Sequence, residues 1–366
     1  MTEKLKKYSF LCPFCKDVIS FELSEEELKK RYSGGLANII IEPHGTPPHS
    51  VTVYIDKQGL IRSVYSSFET LEPKISLQNS YITDATSEIN LQEAQALGIQ
   101  ILPFTISIDG SPHRKYNEEI FFPEVYESLI ADKSVKSLPV SVDSFLNAFR
   151  NAPQNKPIIT LTISKRYSEG YTNAMKAKEI FEKEQPEKAK NLIIIDSKTT
   201  GPMMKLMIMK AIELDEKGEN LTSILDYLYW ICEKHISYIY VDSLNALRKS
   251  ERVGRVTTFF GNLLGLKPVI IENENNNGDL KAFKTVRSKA DAIKEITKAI
   301  LKEFGKLELI GVIFYGIIID DAKQLQETLN QESGAESYDF TMDFIGTGVA
   351  IHLSYDLLGI SLYPKL

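Results

Sequence analysis

Three rhythms of apolar and polar positions follow one another along the chain. In the first, up to about residue 75, a Lys/Glu-rich stretch from Ser24 to Tyr32 has the pattern of an exposed helix. SVTVYID (50–56) alternates apolar and polar residues as a half-buried strand does, and a turn follows at Lys57 to Gly59. FETLEPKISLQNS (68–80) has little periodicity and a proline, and reads as a linker.

From Tyr81 the pattern changes to short apolar runs alternating with helical stretches. YITDAT, ILPFTISI, PIITLTIS and NLIIIDS read as strands; PEVYESLIAD, SVDSFLNAFRNA, TNAMKAKEIFEKE and MMKLMIMKAIELDEKG place apolar residues at helical spacing. Such alternation predicts a parallel sheet covered by helices on both faces, with its ligand crevice beyond the carboxyl ends of the strands. Asp84, Ser164, Asp196 and Ser197 stand at those ends. After about residue 233, YIYVDS, KPVIIE, LKAFKTV, ELIGVIFYGI, YDFTMDFIG, VAIHLS and LGISLY are strand-like and more closely spaced. Helical pattern persists at SLNALRKS, TTFFGNLLG, KADAIKEITKAILKEFG and DAKQLQETLNQE, which predicts an α+β unit with a mixed or antiparallel sheet. The expected organisation is a small unit over 1–75, a parallel α/β unit over 78–232 and an α+β unit over 233–366.

Composition changes this picture little. The chain has 366 residues, 43% hydrophobic and 25% charged, a globular balance too long for one core. Its net charge of −6 argues against a general nucleic-acid or anionic-membrane partner. The charged start MTEKLKKYSF does not look like a signal peptide, and no apolar run approaches the ~18 residues of a membrane span. Three cysteines, unevenly placed, make no disulfide framework, so the cytoplasm is the expected compartment. GxGxxG, GxxxxGK[ST], HExxH and GxSxG are all missing, and five histidines leave few general-base candidates.

From Tyr81 to the end the chain resembles the DegV family through a series of modest motifs in order. YITDATSEI resembles the family's opening strand and turn, and ILPFTISIDG its second strand. VKSLPVSVDSF stands at a Thr-Ser-Gln-Pro-Ser segment, with Ser137 in the Thr position and Ser141 keeping the last hydroxyl. LTISKRYSEGYTNA stands at Ile-Ser-Ser-x-Leu-Ser-Gly-Thr-Tyr, matching at Ser164, Ser168 and Tyr171. Asp196 and Ser197 match a strand end; Arg252, fifteen residues before Lys267, fits a Gly-Arg to Lys-Pro register; Arg287 fits a basic segment. IGTGVAIHLSYDLLGI stands at His-Thr-Gly-Pro-Gly, keeping His352 but with Ser354 and Asp356 for the glycines.

The resemblance implies a two-domain architecture, a Rossmann-like parallel sheet plus an α+β domain, preceded here by an unrelated extension. It implies a non-enzymatic carrier holding a fatty acid in a buried tunnel and presenting it to a partner such as a fatty acid kinase. Serine hydroxyls at Ser137, Ser141, Ser164 and Ser168 would meet the carboxylate, with Ser137 and Ser141 at one helix start and Ser164 at another. Singly, each serine fits a plain helix N-cap; together at successive strand ends they suit a site. Arg252, Arg287 and His352 would lie near the head group, where guanidinium groups suit the oxygens of an acyl phosphate. The alternative is an enzyme acting on a phosphorylated or acyl small molecule at that Arg/His centre, or a metal-linked scaffold with a vestigial tunnel. Phe259, Phe260, Leu263 and Leu264 have the spacing either of tunnel lining or of ordinary core.

In the extension, Cys12-Pro-Phe-Cys15 has zinc-knuckle spacing, and His44 and His49 are the nearby candidates to complete a zinc site. Two free cysteines or a redox pair fit the same spacing.

Overall fold

The computed structural model describes residues 5–12, 18–33, 36–44, 49–56, 59–68, 77–242, 267–273, 279–305, 307–316, 319–333 and 338–366. The first rhythm forms an antiparallel hairpin, β1 (Leu5–Leu11) with β2 (Val18–Ser24), and helix α1 (Glu25–Lys30). Ser24 and Glu27 start the helix with a reciprocal capping box. Strands β3 (Tyr32–Ser33), β4 (Leu36–His44), β5 (His49–Asp56) and β6 (Ile61–Phe68) make an antiparallel sheet in that order. Val51, Val53 and Ile55, two residues apart, turn one face into a core with Tyr8, Phe10 and Leu28.

The second rhythm begins with β7 (Ser80–Asp84), α2 (Leu91–Leu97) and β8 (Gln100–Leu102). Next come β9 (Thr105–Ile108), β10 (Arg114–Lys115), α3 (Phe122–Ile130), β11 (Val135–Leu138) and α4 (Val142–Asn151). It continues with β12 (Ile158–Thr162), α5 (Gly170–Glu184), α6 (Pro186–Ala189), β13 (Leu192–Asp196), α7 (Gly201–Glu216) and α8 (Leu221–Lys234). The parallel sheet runs β13-β12-β7-β8. Adjacent residues of β12 face opposite cores: Ile159 and Leu161 pack with Met207, Ile224 and Leu228 of α7 and α8, Ile158 with Phe145, Phe149 and Phe181 of α4 and α5. Burial on both faces is why these strands read as continuous apolar runs. ILPFTISI, expected as one strand, is two. Pro103 cannot donate to the ladder, so β8 stays in the parallel sheet while β9 pairs with β10 and β11 in another.

The third rhythm comprises β14 (Ile236–Val241), β15 (Lys267–Asn273), β16 (Lys281–Val286), α9 (Lys289–Phe304) and β17 (Leu309–Tyr315). It ends with α10 (Ile319–Ser333), β18 (Asp339–Phe344), α11 (Thr347–Ala350) and β19 (Leu357–Pro364). Among the described residues the sheet order is β16-β15-β14-β19-β17-β18, antiparallel except between β17 and β18. Helices α9 and α10 cover its outer face. VAIHLS, expected as a strand, is the end of α11 and a turn, closed by the His352 and Leu353 amides donating to Val349 O at 3.0 and 2.9 Å. No helix among the described residues is long and apolar enough to cross a membrane.

Candidate functional site

The loops after β7, β12 and β13, with the inner face of the six-stranded sheet, line a cavity of about 820 Å3, its mouth included. Asp84 joins two of these loops. Its Oδ1 accepts from the Thr86 amide at 3.0 Å and from the Thr86 hydroxyl, and its Oδ2 accepts from the Ile163 amide at 2.8 Å. Burial raises the Asp84 carboxyl above its ordinary range, and those donors oppose the rise. Ser164 is fully buried in the turn after β12, its amide donating to Thr199 O at 2.9 Å and its Oγ accepting from the Arg166 amide at 3.2 Å. Ser197 bonds both backbone groups of Thr199, and Asp196 accepts from the amides of Lys165 and Lys198. These residues hold the loops that carry Thr86, Thr199 and Thr200 onto the wall.

At one place on the wall Ser137 Oγ lies 3.0 Å from His352 Nε2. The pair joins residues 215 positions apart. Ser137 belongs to β11, paired with Ile106, rather than to the helix start where it was expected; Pro139 ends the strand two residues later. His352 sits in the turn after α11. Ser168 also lines the cavity and accepts from the Gly170 amide at the start of α5. Ser141 lies elsewhere: it is exposed and caps α4, accepting from the Ser144 amide at 3.1 Å. Ser164 is not part of the lining.

Much of the wall is apolar, with Ile163, Ile239, Phe314, Val349 and Leu353. Phe314 is directly opposite Gly359, and a Cβ at that glycine would collide with its ring, so the missing side chain seats the aromatic.

A second polar place lies on the same inner face. Glu272, Ser237 and Ser361 stand in register on β15, β14 and β19. All three are buried. Glu272 Oε2 accepts from Ser237 Oγ at 3.0 Å and Thr199 Oγ1 at 2.9 Å; Oε1 accepts from the Tyr167 hydroxyl. Ser237 and Ser361 hydroxyls are 2.7 Å apart, and buried His235 brings Nε2 to 3.5 Å from Glu272 Oε2. The Tyr167 hydroxyl is pushed well above its ordinary range, first by burial and then by the Glu272 charge, so it stays a donor. None of these residues stood out in the sequence. The signal was period two: Glu272 follows Ile270, and Ser237 precedes Ile239, on the inner face.

Arg287 is exposed just after β16 and does not line the cavity. Arg252, Phe259, Phe260, Leu263 and Leu264 lie outside the described residues. Cys12 is buried at the end of β1; Cys15 and the side chains of His44 and His49 lie outside the described part, although the two histidine backbones pair across β4 and β5. Among the described residues no three Cys, His, Asp or Glu side chains gather as a metal site.

A parallel sheet and a mixed sheet lining a cavity that carries both apolar side chains and two polar clusters define the class of this protein. The chain belongs to the DegV family, whose model, described as uncharacterised protein of that family, matches residues 80–365. A DegV domain-containing protein of Staphylococcus aureus is 26% identical over 285 residues, 76% of this chain and 95% of that protein. One from Clostridium perfringens is 24% identical over 283 residues, 76% and 96% of the two chains. Among solved structures, a stearic acid-binding protein from Eubacterium ventriosum superposes with a TM-score of 0.70 at 24% identity, over 78% of this chain and 98% of that one. A fatty-acid-binding DegV family protein from Thermus thermophilus gives 0.69 at 22% identity, over 79% and 100%. The first 79 residues precede the family match.

Proposed function

We propose that the chain binds a long-chain fatty acid in this cavity, carboxylate toward Ser137 and His352, and carries it to a partner such as a fatty acid kinase without transforming it. The observation that carries the reading is the Ser137–His352 pair beside an otherwise apolar stretch of wall. An acyl chain gains about 0.8 kcal/mol per buried methylene, while its carboxylate needs donors, and a hydroxyl and an imidazole supply them. The names of the solved relatives, one for stearic acid and one for fatty acids, support the same ligand class. Ser168 adds a further polar group to the wall; Ser164 braces the turn after β12 and Ser141 caps α4. Arg252 and Arg287 would lie near the head group in this reading, where an acyl phosphate would form in the presentation step.

The division at residues 1–75, 78–232 and 233–366, the cytoplasmic setting, and zinc on Cys12, Cys15, His44 and His49 are parts of the same proposal. Metal analysis of the purified protein before and after acid treatment tests the zinc. For the ligand, delipidated protein titrated with stearate is expected to bind, with binding weakened by Ser137→Ala. No binding of stearate or of other long-chain fatty acids rejects the proposal. Turnover of an acyl phosphate by the protein alone, lost in His352→Ala, would replace the carrier with an enzyme.

A further inference from the structure

The buried cluster around Glu272 is out of place in a tunnel made only for methylenes. A plain acyl chain laid against it leaves the carboxylate's remaining acceptor capacity unused, and an apolar residue in its place would cost nothing in packing. Three neighbouring strands nevertheless present polar side chains in one row, Glu272, Ser237 and Ser361, on a face whose other positions are Ile239, Ile270 and Phe314.

The donors are distributed unevenly. Glu272 Oε2 accepts from Thr199 and Ser237 and has His235 Nε2 at 3.5 Å. Among the described residues Oε1 accepts from the Tyr167 hydroxyl alone, and a carboxylate oxygen has room for two donors. Thr200, next in the chain to Thr199, also lines the cavity, and its buried hydroxyl has no hydrogen-bond partner among the described residues. The cavity lining thus offers an acceptor with spare capacity and a hydroxyl that can donate or accept.

We infer that the acyl chain this protein selects carries a hydroxyl group partway along it, which donates to Glu272 Oε1 and pairs with the Thr200 hydroxyl. The inference rests on the lipid-binding reading above and names the ligand class within it. A ketone at the same carbon accepts only, and meets Glu272 without a proton to share. A second carboxylate there meets like charge. A site that hydrogen-bonds a ligand hydroxyl discriminates strongly against the analogue lacking it.

The test compares stearate, a series of hydroxystearates with the hydroxyl moved stepwise along the chain, and the matching oxostearates, each titrated into delipidated full-length protein. At least one hydroxystearate is expected to bind about tenfold or more tightly than stearate and than its own oxo counterpart. Glu272→Leu is expected to abolish that preference while stearate still binds, and Thr200→Val to reduce it. If no hydroxystearate exceeds stearate in the unaltered protein, the inference is overturned, even should Glu272→Leu fail to fold. A preference that survives Glu272→Leu in folded protein overturns it equally. Failure of stearate and all its hydroxylated forms to bind is a different result, because it removes the lipid-binding reading itself.

Discussion

The Ser137–His352 pair and the Glu272 cluster are made from similar side chains, hydroxyls beside one ionisable group, yet their surroundings differ. Ser137 and His352 are half-buried and come from a strand edge and a turn on separate elements. Glu272, Ser237 and Ser361 are buried and locked in register on three adjacent strands, with Thr199 and Tyr167 closing over the carboxylate. Polar groups on separate, partly exposed elements can exchange partners with a ligand's head group and with water. Polar groups fixed in a sheet stay where they are and select what lies against them.

The largest expected effect uses a third carboxylate, which shows what the Glu272 arrangement avoids. Glu88, in a left-handed conformation at φ 62°, has both oxygens buried with no well-formed hydrogen bond among the described residues. Burial pushes its carboxyl up to about 8; Asp343 adds to the rise, while the Gly346 amide and Lys205 ease it. A folded pKa above the unfolded one means the folded protein keeps a proton that the unfolded chain loses. Stability should therefore fall as pH climbs from about 4.5 to about 8, on the order of 5 kcal/mol across the window. Urea midpoints measured across that range should decline, and Glu88→Gln should flatten the decline; a midpoint that rises throughout would contradict it.

Next in size is Gly359→Ala, whose new Cβ collides with the Phe314 ring on the cavity wall and forces it to shift. A loss of about 1–3 kcal/mol in denaturant stability, with lipid capacity lost in the same samples, is expected. Unchanged lipid capacity would show that the wall around Phe314 does not bound the ligand. Ser137→Ala and His352→Ala should each weaken fatty-acid binding about tenfold, near 1.4 kcal/mol, with little change in stability. The smallest effect is a control: Ser141→Ala removes the cap of α4 and should cost about 1 kcal/mol of stability without changing lipid affinity. A loss of affinity there would move the head group toward α4.

Strands buried on both faces, such as β12 and β13, were legible because their apolar runs are continuous. ILPFTISI and VAIHLS misled because one proline and one short helix hide inside alternating apolar residues. Ser137 and His352 were legible as motif positions, but their meeting across 215 residues was not. Ser141 shows the limit of reading serines: a cap and a ligand donor have the same side chain, and only placement separates them. Glu272 was missed because its meaning depends on strand register, which brings Ser237 and Ser361 beside it from distant parts of the chain.

Native mass spectrometry of the freshly purified protein, followed by solvent extraction, tests the carrier account most directly. The account predicts a copurifying mass of fatty-acid size, diminished in Ser137→Ala and His352→Ala protein. A protein that flies empty, and stays empty after incubation with long-chain fatty acids and their hydroxylated forms, would contradict it.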